Sequence, residues 1–140
     1  MGFPVRPMVT DAGSNFPPRP MQKGDGWMAF LAPSTLTTVG AGTLLAALLA
    51  TGHLHRTGPT AGFADTIDTG VNIDAAFPNL QIGDHILVRY IASVAFAATI
   101  TAAAGVTLKT AAANNVIAAS TSAFLLLYKT GVGTYDLYVC

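Results

Sequence analysis

From His53 onward, apolar and polar residues alternate in short runs separated by turn residues. "HLHRT" can begin a strand that Gly58-Pro59 ends. "QIGDHILVRYIASV" has a turn at Gly83-Asp84 and then a strand. That strand carries Ile86, Val88 and Tyr90 on one face and His85, Leu87, Arg89 and Ile91 on the other. "AATITAA" sets Ile100 opposite Thr99 and Thr101, and "GVTLKT" turns Val106 and Leu108 inward. "SAFLLLYKT" points Phe124, Leu126 and Tyr128 to one side. After the "GVG" turn, "TYDLYV" groups Tyr135, Leu137 and Val139. About six short strands at this spacing predict an all-β fold, a small β-sandwich or barrel. "NIDAAFP" reads as a single helical turn, with Asn72 as N-cap and Pro78 as terminator.

The pattern changes upstream. Thr43 to Ala50 favours a short helix with Leu44, Leu45, Leu48 and Leu49 on a broad apolar face, stopped by Gly52. Residues 1–33 hold six of the eight prolines: Pro4, Pro7, Pro17, Pro18, Pro20 and Pro33. Proline removes backbone donors and fixes φ, so this stretch predicts an extended arm rather than a helix or central strand. Phe3, Phe16, Trp27 and Phe30 lie along it, where a purely disordered tail would be poor in aromatics. The expected organisation is an arm over 1–33, a linker with a short apolar helix over 34–52, and a β-domain over 53–140.

Strands with two apolar faces imply a second covering layer, because the outer face of an isolated two-layer domain is polar. Leu125 and Leu127 oppose the Phe124 face, and Leu87 and Ile91 oppose the Ile86 face. Leu87, Ile91, Leu125 and Leu127 are therefore the expected contacts between copies of the chain. Composition points the same way. Only 10% of the residues are charged, seven basic against seven acidic, with no glutamate, where roughly 25% is usual. A surface this poor in charge is suited to facing protein. Neutrality also argues against nucleic acid, which calls for a basic stripe. The stretch 39–52 is uncharged, and the uncharged region reaches back to Met28, but Pro33 and the "STLTT" cluster interrupt it. Its apolar core falls short of the roughly 20 residues that span a bilayer, so no membrane association is expected. "MGFPVRPMVT" lacks the apolar stretch of a signal peptide, and the single cysteine, Cys140, leaves no internal disulfide.

Candidate chemistry centres on "GHLHRTGPTAGFADTIDTG". His53 and His55 share one strand face and could meet a metal if Asp65, Asp68 or His85 supplied a third ligand. Asp65 and Asp68 could form an acid–base pair of the kind used on glycosides, yet no glutamate or aromatic platform accompanies them. Histidines on an exposed strand face and aspartates bonding nearby backbone amides account for both pairs more simply. No GxSxG, HExxH or CxxC pattern occurs, and "GAG" and "GVG" lack the strand-to-helix context of a phosphate loop. The expectation is no catalytic site, no cofactor and no metal.

"RTGPTAGFADTIDT", "NIDAAFPN", "IGDHILVRYI", "AATITAAAGVTLKT" and the late "FLLLYKTG" together resemble tailed-bacteriophage virion proteins, the small β-domains of head-decoration, capsid-cement and head-fibre type. The resemblance covers residues 56 to about 139. It implies a non-enzymatic homotrimer on the outer surface of the capsid, made in the host cytoplasm and bridging capsomers through the major capsid protein. On that expectation the arm grips the shell through Phe3, Phe16, Trp27 and Phe30, with Arg6, Arg19 and Lys23 meeting acidic groups. The alternatives are the base domain of a head fibre or tail-associated fibre, and a carbohydrate- or host-surface-binding β-module.

Overall fold

Strands dominate because the alternating runs find partners in two sheets. The computed structural model of the protein describes residues 32–111 and 114–140. The arm, with Phe3, Arg6, Phe16, Arg19, Lys23, Trp27 and Phe30, lies outside the described residues apart from its last two positions. In chain order the elements are β1 (Ser34–Leu36), β2 (Gly42–Leu44), α1 (Ala46–Leu49), β3 (His53–Arg56), β4 (Phe63–Ile67) and α2 (Gly70–Ala76). They continue with β5 (His85–Ala92), β6 (Ala98–Ala102), β7 (Val106–Leu108), β8 (Val116–Ile117), β9 (Ser122–Gly131) and β10 (Thr134–Val139).

Successive strands alternate between sheets. β1, β3 and β5 run parallel in a six-stranded sheet of order β1-β3-β5-β9-β10-β7. β2, β4 and β6 run parallel in a four-stranded sheet of order β2-β4-β6-β8. Parallel neighbours need a crossover, and here each crossover is a strand of the opposite sheet. The chain thus coils, laying one strand in each sheet per circuit. β9 then runs antiparallel between β5 and β10. One core joins the sheets, with Val88, Tyr90, Leu125, Leu127 and Leu137 from the larger and Leu44, Ile67 and Ile100 from the smaller.

Strand alternation follows the expected faces where runs are long. Ile86, Val88, Tyr90 and Ala92 are buried along β5, and Tyr135, Leu137 and Val139 along β10. Among the described residues ten strands form instead of about six: β4 (Phe63–Ile67) was not expected from its run of Asp and Thr, and β1, β2 and β8, of two or three residues, are too short to show a period. All four sheet-edge strands are of this size, and short edges give little template for edge-to-edge growth.

Three expectations need correction. Thr43 and Leu44 belong to a strand, and only Ala46–Leu49 is helical. Leu44 pairs beside Ile67 and is fully buried, while the amide of Ala46 donates to Asp68 at 3.0 Å, so the helical turn begins only after the strand ends. Residues 34–52 are not a linker, since β1 pairs with β3 and β2 with β4. The N-cap of α2 is Thr69, whose hydroxyl accepts from the Asn72 amide at 3.3 Å, while the Asn72 side chain donates to Asp68 at 2.7 Å.

Candidate functional site

His53 and His55 lie side by side on β3, as their spacing predicts, with ring centroids 5.4 Å apart and planes at 26°. Among the described residues, no third His, Cys, Asp or Glu joins them in a group that could hold a metal. His85 is on β5, where His53 registers with Arg89, four residues farther along that strand. Asp65 and Asp68 face elsewhere.

Asp65 is fully buried in the core, where its Oδ2 accepts from Arg56 Nε at 2.8 Å and from the Tyr90 hydroxyl at 2.7 Å. Its Oδ1 accepts from the Gly42 amide at 3.0 Å. Arg56, also fully buried, spreads its other donors over the chain joining β1 to β2. It reaches the carbonyls of Leu36 at 3.2 Å, Thr38 at 2.5 Å and Gly40. The Phe63 ring lies 4.9 Å from the guanidinium carbon. A buried charge is tolerated only when paired and hydrogen-bonded, and this pair satisfies both conditions. Burial, reinforced by donation to Asp65, pushes the Tyr90 phenol well above its ordinary range.

Asp68 joins α1 to the start of α2 through Ala46, Thr69 and Asn72. Burial pushes its pKa up, but those three hydrogen bonds outweigh burial and leave the carboxyl below its usual value. The two aspartates considered as an acid–base pair are thus engaged in separate structural tasks.

A second ionic group ties α2 to the β9–β10 hairpin. Lys129 meets Asp74 at 2.8 Å and donates to the Leu80 carbonyl at 3.0 Å. The Tyr135 hydroxyl and the Gly133 amide each donate to Asp74 at 2.5 Å. The Lys129 bond, then the Tyr135 bond, hold the Asp74 carboxyl down at about 2, whereas burial pushes the Tyr135 phenol up. A carboxyl depressed in the folded state stabilises the fold above its unfolded value near 3.9 and loses that contribution as pH falls through the folded value. Acid unfolding is therefore expected to show a component between about pH 4 and pH 2. Asp74→Asn should flatten that component, as read by circular dichroism across an acid titration.

The open surface of the larger sheet is apolar. Leu87, Phe124, Tyr128 and Tyr138 are 52, 46, 42 and 38% exposed, with Leu126 and Ile91 half-buried among them. Register sets Leu87 beside Leu126 and Leu126 beside Tyr138, so β5, β9 and β10 contribute one continuous row. This corrects part of the expected interface. Leu87 and Ile91 do lie on the open face, but Leu125 and Leu127 are fully buried in the protomer's own core. The face they were expected to open belongs to Phe124, Leu126 and Tyr128. Elsewhere, a hollow of about 310 Å³ beside the end of α2 is lined by Ala76, Phe77, Pro78, Asn79 and Leu80, without an ionisable side chain.

Among the described residues, no helix is long and apolar enough to cross a membrane. No protein-family model matches the chain, and neither a curated protein nor a solved structure is found similar to it.

Sequence reasoning missed the two ionic groups. The short "HLHRT" run does not reveal a partner for Arg56, and Asp74 and Lys129 are 55 positions apart (129 − 74). An inward-phased charge, Arg56 in step with Leu54 or Lys129 in step with Leu127, was the available signal.

Proposed function

We propose that this chain is a non-catalytic structural protein of a tailed-phage virion. It would act as a capsid decoration or cement protein on the outer surface of the head, bridging capsomers through contacts with the major capsid protein. The observation that carries the reading is the continuous apolar face of the six-stranded sheet, in a chain with very few charges. Exposed patches of this kind mark protein–protein contact. The aspartates weighed as catalytic groups are engaged in holding the fold, which is what a passive scaffold needs. The sandwich-like pairing of two sheets on one core gives a stiff body. The aromatic, proline-rich residues 1–33 give a segment suited to lying along a shell. The virion assignment itself rests on the resemblance of residues 56 to about 139, which also implies a trimer.

Deleting residues 2–33 and measuring attachment to undecorated capsids, assembled from the major capsid protein encoded with this chain, tests the reading. The deleted protein is expected to keep its circular dichroism spectrum and to lose attachment. Attachment at wild-type strength after the deletion would remove the arm from the proposal, and failure of the full chain to attach would remove the function.

A further inference from the structure

We infer that the open face of the six-stranded sheet packs against the same face of a second copy, about a two-fold axis running along β9. The inference names the partner of the apolar face and puts a pair in place of the trimer that the resemblance implies; it rests on the reading above only for the idea that the chain works by assembly.

Three observations support a second copy as the occupant. The first is size. Six strands about 4.8 Å apart, with β5 eight residues long at about 3.4 Å each, outline a face on the order of 600 Å². The side chains standing on it raise its accessible area toward the roughly 800 Å² per partner of a standard interface.

The second is the layout of the face. Apolar residues follow the middle strand and its neighbours, with Phe124, Leu126 and Tyr128 on β9, Leu87 on β5 and Tyr138 on β10. Polar groups lie toward the flanks, as at the rim of an interface.

The third is charge. The flank formed by β3 and β5 carries His53, His55, His85 and Arg89. The flank formed by β10 and β7 carries Asp136, 3.6 Å from Lys109. His85 registers with Tyr128, and Tyr128 with Asp136, so imidazole and carboxylate occupy one row on opposite sides of β9. A two-fold axis along β9 lays the β5 flank of one copy over the β10 flank of the other. His85 then faces Asp136 twice, while Leu126 meets its own equivalent at the axis. An axis across the strands would instead lay β5 over β5 and bring Arg89 toward His85, with no acid between them. Self-complementarity of this kind defines an isologous contact.

Sedimentation of the full chain over a hundredfold dilution tests the pairing. The expected mass is that of two protomers, and Phe124→Glu and Leu126→Glu are each expected to raise the dissociation constant by at least about a hundredfold, as for a central anchor. Val132→Glu, at a position 88% exposed on the hairpin tip, should leave the pair intact. Circular dichroism and melting of each variant check that it is folded. A second measurement does not depend on breaking anything. In a Cys140→Ser background, Leu126→Cys is expected to join two copies through a short bis-maleimide, and Val132→Cys is not.

A wild-type chain that sediments as one protomer or as three overturns the inference, and so does a folded Phe124→Glu variant that still pairs. A solitary chain that nonetheless binds capsids would remove this inference and leave the proposed function standing. A pair that ignores capsids would do the reverse.

Discussion

Asp65→Ala is expected to lower the free energy of unfolding by about 3–5 kcal/mol, among the largest effects of any single change in this protein. The substitution removes the carboxylate that accepts from Arg56 Nε, the Tyr90 hydroxyl and the Gly42 amide, and it leaves a fully buried guanidinium without a counter-charge. Desolvation of that charge cannot be relieved by a rotamer change, because the remaining guanidinium donors already hold the carbonyls of Leu36, Thr38 and Gly40. Tyr90→Phe, which deletes one donor and leaves the ion pair, should cost only about 1–1.5 kcal/mol. Urea unfolding monitored by circular dichroism measures both. The double variant Arg56→Met with Asp65→Leu should cost less than the sum of its single changes, since the orphaned charge disappears with its partner. A loss below about 1 kcal/mol for Asp65→Ala would mean that the pair does not organise this end of the sheets.

Gly105→Ala is expected to destabilise by on the order of 3 kcal/mol, for two reasons that add. The backbone at Gly105 has φ +80°, in the region where a Cβ meets the following carbonyl. A Cβ there would also press into the carbonyl oxygen of Gly133 on the hairpin tip, with the Gly70 backbone only 3.3 Å away. Gly70, Gly105 and Gly133 form a three-way crossing of backbone that brings the start of α2, the approach to β7 and the β9–β10 turn together. The Gly133 amide on Asp74 fastens the same spot. Gly62→Ala is the control, since open space surrounds its Cβ position. A shift in thermal midpoint of several degrees for Gly105→Ala, with Gly62→Ala near wild type, is the expected result. Equal midpoints would show that the crossing relaxes without cost.

These two positions also show which parts of the fold were legible in the sequence. β5 and β10 are long enough for a period of two to repeat, so their buried faces, with Ile86, Val88, Tyr90, Leu137 and Val139, follow from the sequence. The pairing of His53 with His55 on one face follows for the same reason. Asp65 and Asp68 could be assigned to backbone hydrogen bonding by residue type, but not to their partners. Asp65 reaches Gly42, Arg56 and Tyr90 across three other strands.

The sequence by itself determined that the chain builds a mainly β body with apolar residues on both sides of its longer strands. It did so because strand periodicity is local, and each side chain's face follows from its neighbours two positions away. Only the tertiary structure decided which of those two faces closes the protein's own core. On β9 that is the face of Leu125 and Leu127, leaving Phe124, Leu126 and Tyr128 outside. The two faces are almost equally apolar, so composition cannot rank them. The choice is fixed by β9 taking its place between β5 and β10, with Leu127 beside Ile86 and Leu137 over the opposite sheet. The helix expected over Thr43–Ala50 yielded for a related reason. Leu44 gains more by full burial beside Ile67 than a short alanine-leucine run gains from helix propensity worth a few tenths of a kcal/mol per residue, roughly, against about 2 kcal/mol for a buried leucine.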